Sequence, residues 1–119
     1  MDKVFETTLL YDFYGELLTE HQRDVFEDYI HGDLSLGEIS ENRGISRQGV
    51  FDIVRRCKKL LFSYEEKLHL VRKFMYISET VSKISDMADD ILRENADRSI
   101  ILESASGIKD GARSILKQL

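Results

Sequence analysis

Residues Ser35 to Lys59, SLGEISENRGISRQGVFDIVRRCKK, constrain the fold more than any other stretch. They read as two short helices joined by a glycine turn, the second ending in cations. Ser35 with Glu38 three residues later is a capping box. The hydroxyl takes an unpaired amide of the first turn and the carboxylate returns to the serine's own amide, so a helix is expected from Leu36. Gly44 stands where the chain must leave that helix through a left-handed conformation, which costs glycine no Cβ clash. Ile45 is then the buried residue of the turn. Ser46 is a good N-cap for a second helix, whose inward positions Val50, Ile53, Val54 and Cys57 recur at three- and four-residue spacing. Two helices sharing one short turn and one small core form a helix-turn-helix, whose second helix can enter a DNA major groove.

The segment upstream, LLTEHQRDVFEDYIHG, adds a third helix: Thr19 and Gln22 form another capping box, Val25, Phe26, Tyr29 and Ile30 supply an apolar face, and Gly32 ends it. An N-terminal helix with Val4, Phe5, Leu9, Leu10, Phe13, Tyr14 and Leu17 has an apolar face wide enough to complete the unit. The order LT-x-x-Q-R-x-V-x-x-x-Y, then S-x-x-E-I-S, then GISRQGVFDIVRR resembles region 4 of bacterial sigma factors and related response-regulator domains, over roughly Leu17 to Leu61. From Leu9 through Leu70, the segments LLYDFYGELLTEHQ, LSLGEIS, GISRQGVFD and SYEEKLHL resemble the small YlxM-like helix-turn-helix proteins. Genes of that family lie beside the gene of the signal recognition particle GTPase in many bacteria, so the resemblance implies a role in that pathway or its regulation. It brings no catalytic residues. Two positions depart from the sigma-like pattern: Arg43 precedes the turn glycine where an apolar residue is usual, and Gly49 replaces a usual alanine at about 1 kcal/mol of helix propensity.

A chain of 119 residues with 42% hydrophobic content can bury a core. It has no proline and apolar spacing of helical period almost throughout, so the fold class expected is all-α: a sigma region 4-like unit of three or four helices, residues 1–62, followed by long C-terminal helices, residues 63–119. One cysteine excludes an intramolecular disulfide, no signal peptide is evident, and no apolar run approaches the roughly 20 residues that span a bilayer. The expected compartment is the cytoplasm, without membrane insertion. His21, His31 and His69 are isolated from further ligands on a shared face, so no metal or other cofactor is expected. Cys57 lies on the apolar stripe as a buried, inert thiol, and the glycines form no phosphate loop. An enzyme is not expected.

The net charge of −5 argues against indiscriminate nucleic-acid binding, but the charges are segregated. Residues 47–73 carry eight Lys and Arg against three Asp and Glu, whereas each other segment is acidic. Arg47, Arg55, Arg56, Lys58 and Lys59 fall on the outer side of the second helix, the footprint expected of phosphate contacts, with Asp52 among them as an opposing charge. With Ser46 and Gln48 these are the candidate nucleic-acid-binding residues. Arg47 and Gln48, at the start of the helix, are types that reach guanine and adenine edges.

Beyond Lys59, Leu61, Tyr64, Leu68, Val71 and Met75 continue the spacing of Val50, Val54 and Cys57 as a seven-residue repeat, so the second helix is expected to run on. The stripe passes to Phe74, Ile77, Val81, Ile84, Ala88 and Ile91, and Glu94 to Asp97 (ENAD) is the first break expected. Ile101, Ala105, Ile108, Ala112, Ile115 and Leu119 repeat the pattern in a last helix. These narrow stripes suit burial against another helix, either in an intrachain bundle or across a homodimer through Leu68, Val71, Phe74, Ile77, Val81 and Ile84. A dimer would suit DNA half-sites about 34 to 36 Å apart. Gly107 and Gly111, one turn apart, allow close helix approach but are expected to mark a bend or fraying.

Two functions follow. The first is a dimeric DNA-binding transcription regulator. The alternative is an accessory protein of the signal recognition particle that carries RNA or a protein partner on the same basic helix. RNA would be held by backbone and shape, since an A-form major groove does not admit a helix.

Overall fold

The computed structural model describes residues 3–119, which form six α-helices and no strand. They are α1 (Lys3–Tyr14), α2 (Glu20–Ile30), α3 (Leu36–Arg43), α4 (Arg47–Leu68), α5 (Leu70–Leu92) and α6 (Arg98–Gln118), with a 3-10 turn at Gly15–Leu17 after α1. The all-α class and the helix-turn-helix, α3–turn–α4, are present as expected. Both capping boxes form: Thr19 and Gln22 exchange hydrogen bonds of 3.0 and 3.2 Å, Ser35 and Glu38 of 3.2 and 3.1 Å. Gly44 is left-handed at φ 67°, and the Ser46 hydroxyl accepts from the Gly49 amide at 2.9 Å. Helix α2 ends at Ile30 with Gly32 just beyond its cap, the Gly32 amide donating to the Glu27 carbonyl at 3.3 Å, and the next residue, Asp33, is left-handed (φ 51°).

Residues as far as Val71 form one compact unit, and Arg72–Leu119 a second. In the first, α4 packs on α1, α2 and α3, and the core gathers Leu10, Tyr14, Phe26, Ile39, Val50 and Leu61. Arg43, out of place in the sequence pattern, makes a bidentate ion pair with Asp28 at 2.8 and 3.1 Å. It ties the end of α3 to α2 where the usual apolar residue would have packed. Gly49 has a local reason too: a Cβ there would stand 3.1 Å from the Ser46 hydroxyl that caps α4.

The expected continuous helix does not occur. His69 takes a left-handed conformation at φ 56°, ending α4 at Leu68, well before the ENAD segment. The first amides of α5 need partners at this break. The Tyr14 hydroxyl accepts from the Leu70 amide at 3.1 Å, and the Glu65 carboxylate accepts from the Val71 amide at 2.9 Å and from Tyr14 at 2.6 Å. Val71, which is buried, therefore closes the first core, and the division between units follows it rather than Phe62.

In the second unit, α5 and α6 pair antiparallel: the Tyr76 hydroxyl bonds Ser114, and the space beside Gly107 is filled by Met87. Asp97 caps α6 by accepting from the Ile100 amide at 2.9 Å. The face α6 turns inward is Ser104, Gly107, Gly111 and Ser114, not the stripe beginning Ile101 and Ala105. A Cβ at Gly111 would lie 3.0 Å from Ile84 and 3.3 Å from Thr80. The glycine pair thus marks close approach rather than a bend, both residues lying inside α6. Ile101, Ala105 and Ala112 remain exposed, with Ile108 and Ile115 half-buried.

Candidate nucleic-acid interface

Helix α4 has two chemically distinct sides. Val50, Val54, Cys57 and Leu61 face the core, which forces the intervening polar residues outward. Arg47 and Gln48 are exposed in its first turn, where the helix dipole favours anions. The Gln48 amide donates to the Asp52 carboxylate at 3.0 Å, so the base-reading candidate is held along the helix by the acid beside it. Ser46 is exposed, but its hydroxyl is engaged as the N-cap.

The phosphate candidates divide. Arg55, Arg56 and Lys59 are exposed and, among the described residues, make no ion pair. Lys58 is half-buried: its ammonium donates to the Tyr29 hydroxyl at 3.1 Å and sits 4.9 Å from the centre of that ring. It belongs to the packing of α4 on α2, because its long apolar stem follows the core edge and its charge ends on an aromatic face. It is thereby removed from the set of outward cations.

Two residues absent from the sequence-derived set share this surface. Phe51 and Phe62 are each 47% exposed on α4. Their separation, close to three helical turns, places both rings on one side and was visible in the sequence, but each sits beside core positions and reads there as packing.

The dimer candidates are also divided by the fold. Val71 is buried in the first unit and Ile84 packs beside Gly111 on α6. Leu68, Phe74 and Val81 are about half exposed, and Ile77 is half-buried. Among the described residues, no group of three or more His, Cys, Asp or Glu side chains could hold a metal ion, and no helix is long and apolar enough to cross a membrane.

Residues 1–100 match the family model of UPF0122, described as "Putative helix-turn-helix protein, YlxM / p13 like". The chain belongs to this family. A UPF0122 protein of Caldanaerobacter subterraneus subsp. tengcongensis is 54% identical over 79 residues, covering 66% of this chain and 68% of that protein. One from Acetivibrio thermocellus is 53% identical over 75 residues, 63% of this chain and 64% of the relative. One from Thermoanaerobacter sp. strain X514 is 48% identical over 94 residues, 79% and 80% of the two lengths. The family match spans α1 to α5 and the start of α6, and therefore includes the whole of the exposed surface of α4.

Cys57 is fully buried and its thiol, which donates weakly to the Gln22 carbonyl at 3.9 Å, is pushed up from 9.0 to about 11 by burial. Tyr11, half-buried and donating to Glu27 at 3.0 Å, is pushed up from 10.0 to about 12 by desolvation and the neighbouring carboxylate. Because the unfolded chain releases both protons at lower pH than the folded one, their stabilising contribution is complete below about pH 9 and declines as pH rises towards 11 and 12. Denaturant midpoints measured from pH 7 to 11 should stay level and then fall. Iodoacetamide at pH 8 should label Cys57 only in the unfolded protein, and rapid labelling of the native protein would refute its burial.

Proposed function

We propose that this UPF0122 protein is a nucleic-acid-binding regulator that acts as a homodimer and uses the outward face of α4. The observation that carries the reading is the set of exposed cations, Arg47, Arg55, Arg56 and Lys59, which make no ion pair among the described residues and lie on a helix whose opposite side is locked into the core. Arg55, Arg56 and Lys59 hold phosphates, while Arg47 and Gln48, at the capped start of the helix, meet base edges in a DNA major groove. No step in this function needs catalysis. The dimer is supported by the apolar residues the second unit leaves exposed. A place in the signal recognition particle pathway is supported by the gene neighbourhood of the YlxM-like family alone. One observation favours RNA as a second ligand: Gln48 is bonded to Asp52, which weakens base-edge reading but leaves the phosphate contacts that serve a backbone-and-shape mode.

Selection of bound sequences from a random duplex pool tests the DNA reading. Wild type should enrich a defined site, and Gln48→Ala should relax preference at one base pair by roughly 1 to 3 kcal/mol while leaving non-specific affinity unchanged. A wild type that enriches no sequence but retains a structured RNA transcript would replace the DNA reading with the RNA one.

A further inference from the structure

A groove of about 670 Å3 follows the outward side of α4 and is bounded by Tyr29 of α2 and Leu36 of α3. Phe51 and Phe62 line it along α4, roughly 16 Å apart at the helical rise, above a floor formed by the nearly buried Val54. Single exposed apolar side chains are ordinary, but two half-exposed rings aligned along one concavity mark a binding surface. Arg55 and Lys59 stand among them as exposed cations.

We propose that this groove docks an amphipathic helix of a protein partner, about four turns long. Its apolar stripe seats between Phe51 and Phe62, and its flanking Asp or Glu residues pair with Arg55 and Lys59. Charge complementarity selects the acidic flank: two exposed cations border the groove against one carboxylate, Glu66, at its far end. Three features favour a helix over unpaired nucleotides. The Lys58 ammonium inside the groove is held by Tyr29 and is withdrawn from phosphate, Glu66 repels a phosphate chain, and Leu36 and Val54 give an aliphatic surface rather than a further stacking ring. The docked helix takes Arg55 and Lys59 from nucleic acid, so the two ligands exclude each other on this part of α4. The groove itself does not rest on the nucleic-acid reading, since its two aromatic anchors are outside the phosphate set.

The test is selection, with the full chain as bait, from a displayed library of helical peptides about 18 residues long. Selected peptides should carry apolar residues at i, i+4 and i+7 with Asp or Glu beside them. Phe51→Ala with Phe62→Ala should weaken them at least about tenfold, both rings being half exposed and circular dichroism verifying the fold. Arg55→Glu with Lys59→Glu should weaken the same peptides and favour versions with Lys in place of Glu. A selection returning no helical binder, basic binders, or binders indifferent to the phenylalanine substitutions overturns the proposal. A tenfold loss of oligouridylate RNA binding in the phenylalanine variant, with peptide binding unchanged, also overturns it and makes the groove a stacking platform. Duplex binding by the phenylalanine variant should stay within about twofold of wild type. Failure of wild type to bind any nucleic acid would sink the nucleic-acid reading and leave the groove standing.

Discussion

Replacing Arg55, Arg56 and Lys59 together by Ala is expected to weaken binding to every nucleic-acid sequence while leaving the fold intact, because all three side chains are exposed and make no ion pair among the described residues. Each phosphate neutralised by a protein cation contributes about 0.9 to the slope of log affinity against log salt on duplex DNA, so removing three lowers that slope by up to about 2.7. Between 50 and 200 mM salt, this makes the variant roughly 40-fold less salt-sensitive than wild type. Lys58→Ala should behave differently. Its ammonium lies on Tyr29, so the variant should lose on the order of 0.5 to 1 kcal/mol of stability with its salt slope unchanged. Titration of a labelled duplex at several salt concentrations separates the two, and an unchanged slope in the triple variant would remove the phosphate role of α4.

The proposed dimer carries the second large expected effect. Phe74 and Val81 lie on one stripe of α5 at 46% and 49% exposure, and on α6 Ile101 and Leu116 are 37% and 68% exposed. Water contact on this scale is costly for apolar side chains, and a second copy can cover the same residues twice in a twofold arrangement. Completing the burial of a half-exposed branched aliphatic is worth about 1 kcal/mol. Val81→Asp with Ile101→Asp, counted in both copies, should therefore weaken self-association by about 4 kcal/mol, roughly a thousandfold. Both positions are partly exposed, so the monomer should remain folded, unlike a variant at the buried Val71. Sedimentation equilibrium should find wild type dimeric and the double variant monomeric at tens of micromolar. A wild type that sediments as a monomer there would end the dimer reading.

The features legible in the sequence are those whose partners lie within one helical turn. Thr19 with Gln22, Ser35 with Glu38, and Ser46 with the Gly49 amide each pair across three residues, so type and spacing alone imply the hydrogen bond. Gly44 is legible for the same reason, since only the local backbone must turn left-handed. The division of α4 into a core side and a basic side followed from its period. The end of α4 did not, because apolar spacing carries no information about one residue's backbone conformation. His69 turns left-handed where Tyr14 and Glu65, on α1 and α4, supply the partners the new helix needs. Nor could spacing show that Lys58 points to Tyr29, distant in sequence, while Lys59 points to water. In α6, the apolar count favoured the stripe with Ile101, Ala105 and Ala112, yet the helix turned its small residues inward. Close packing against Ile84, Thr80 and Met87 needs the absence of a Cβ, a requirement set by the neighbouring helix. Local hydrogen bonding and period thus decided where helices start and which side of α4 is basic. Contacts between residues far apart in the chain decided where α4 stops, which cations stay outward and which face of α6 is spent inside the chain.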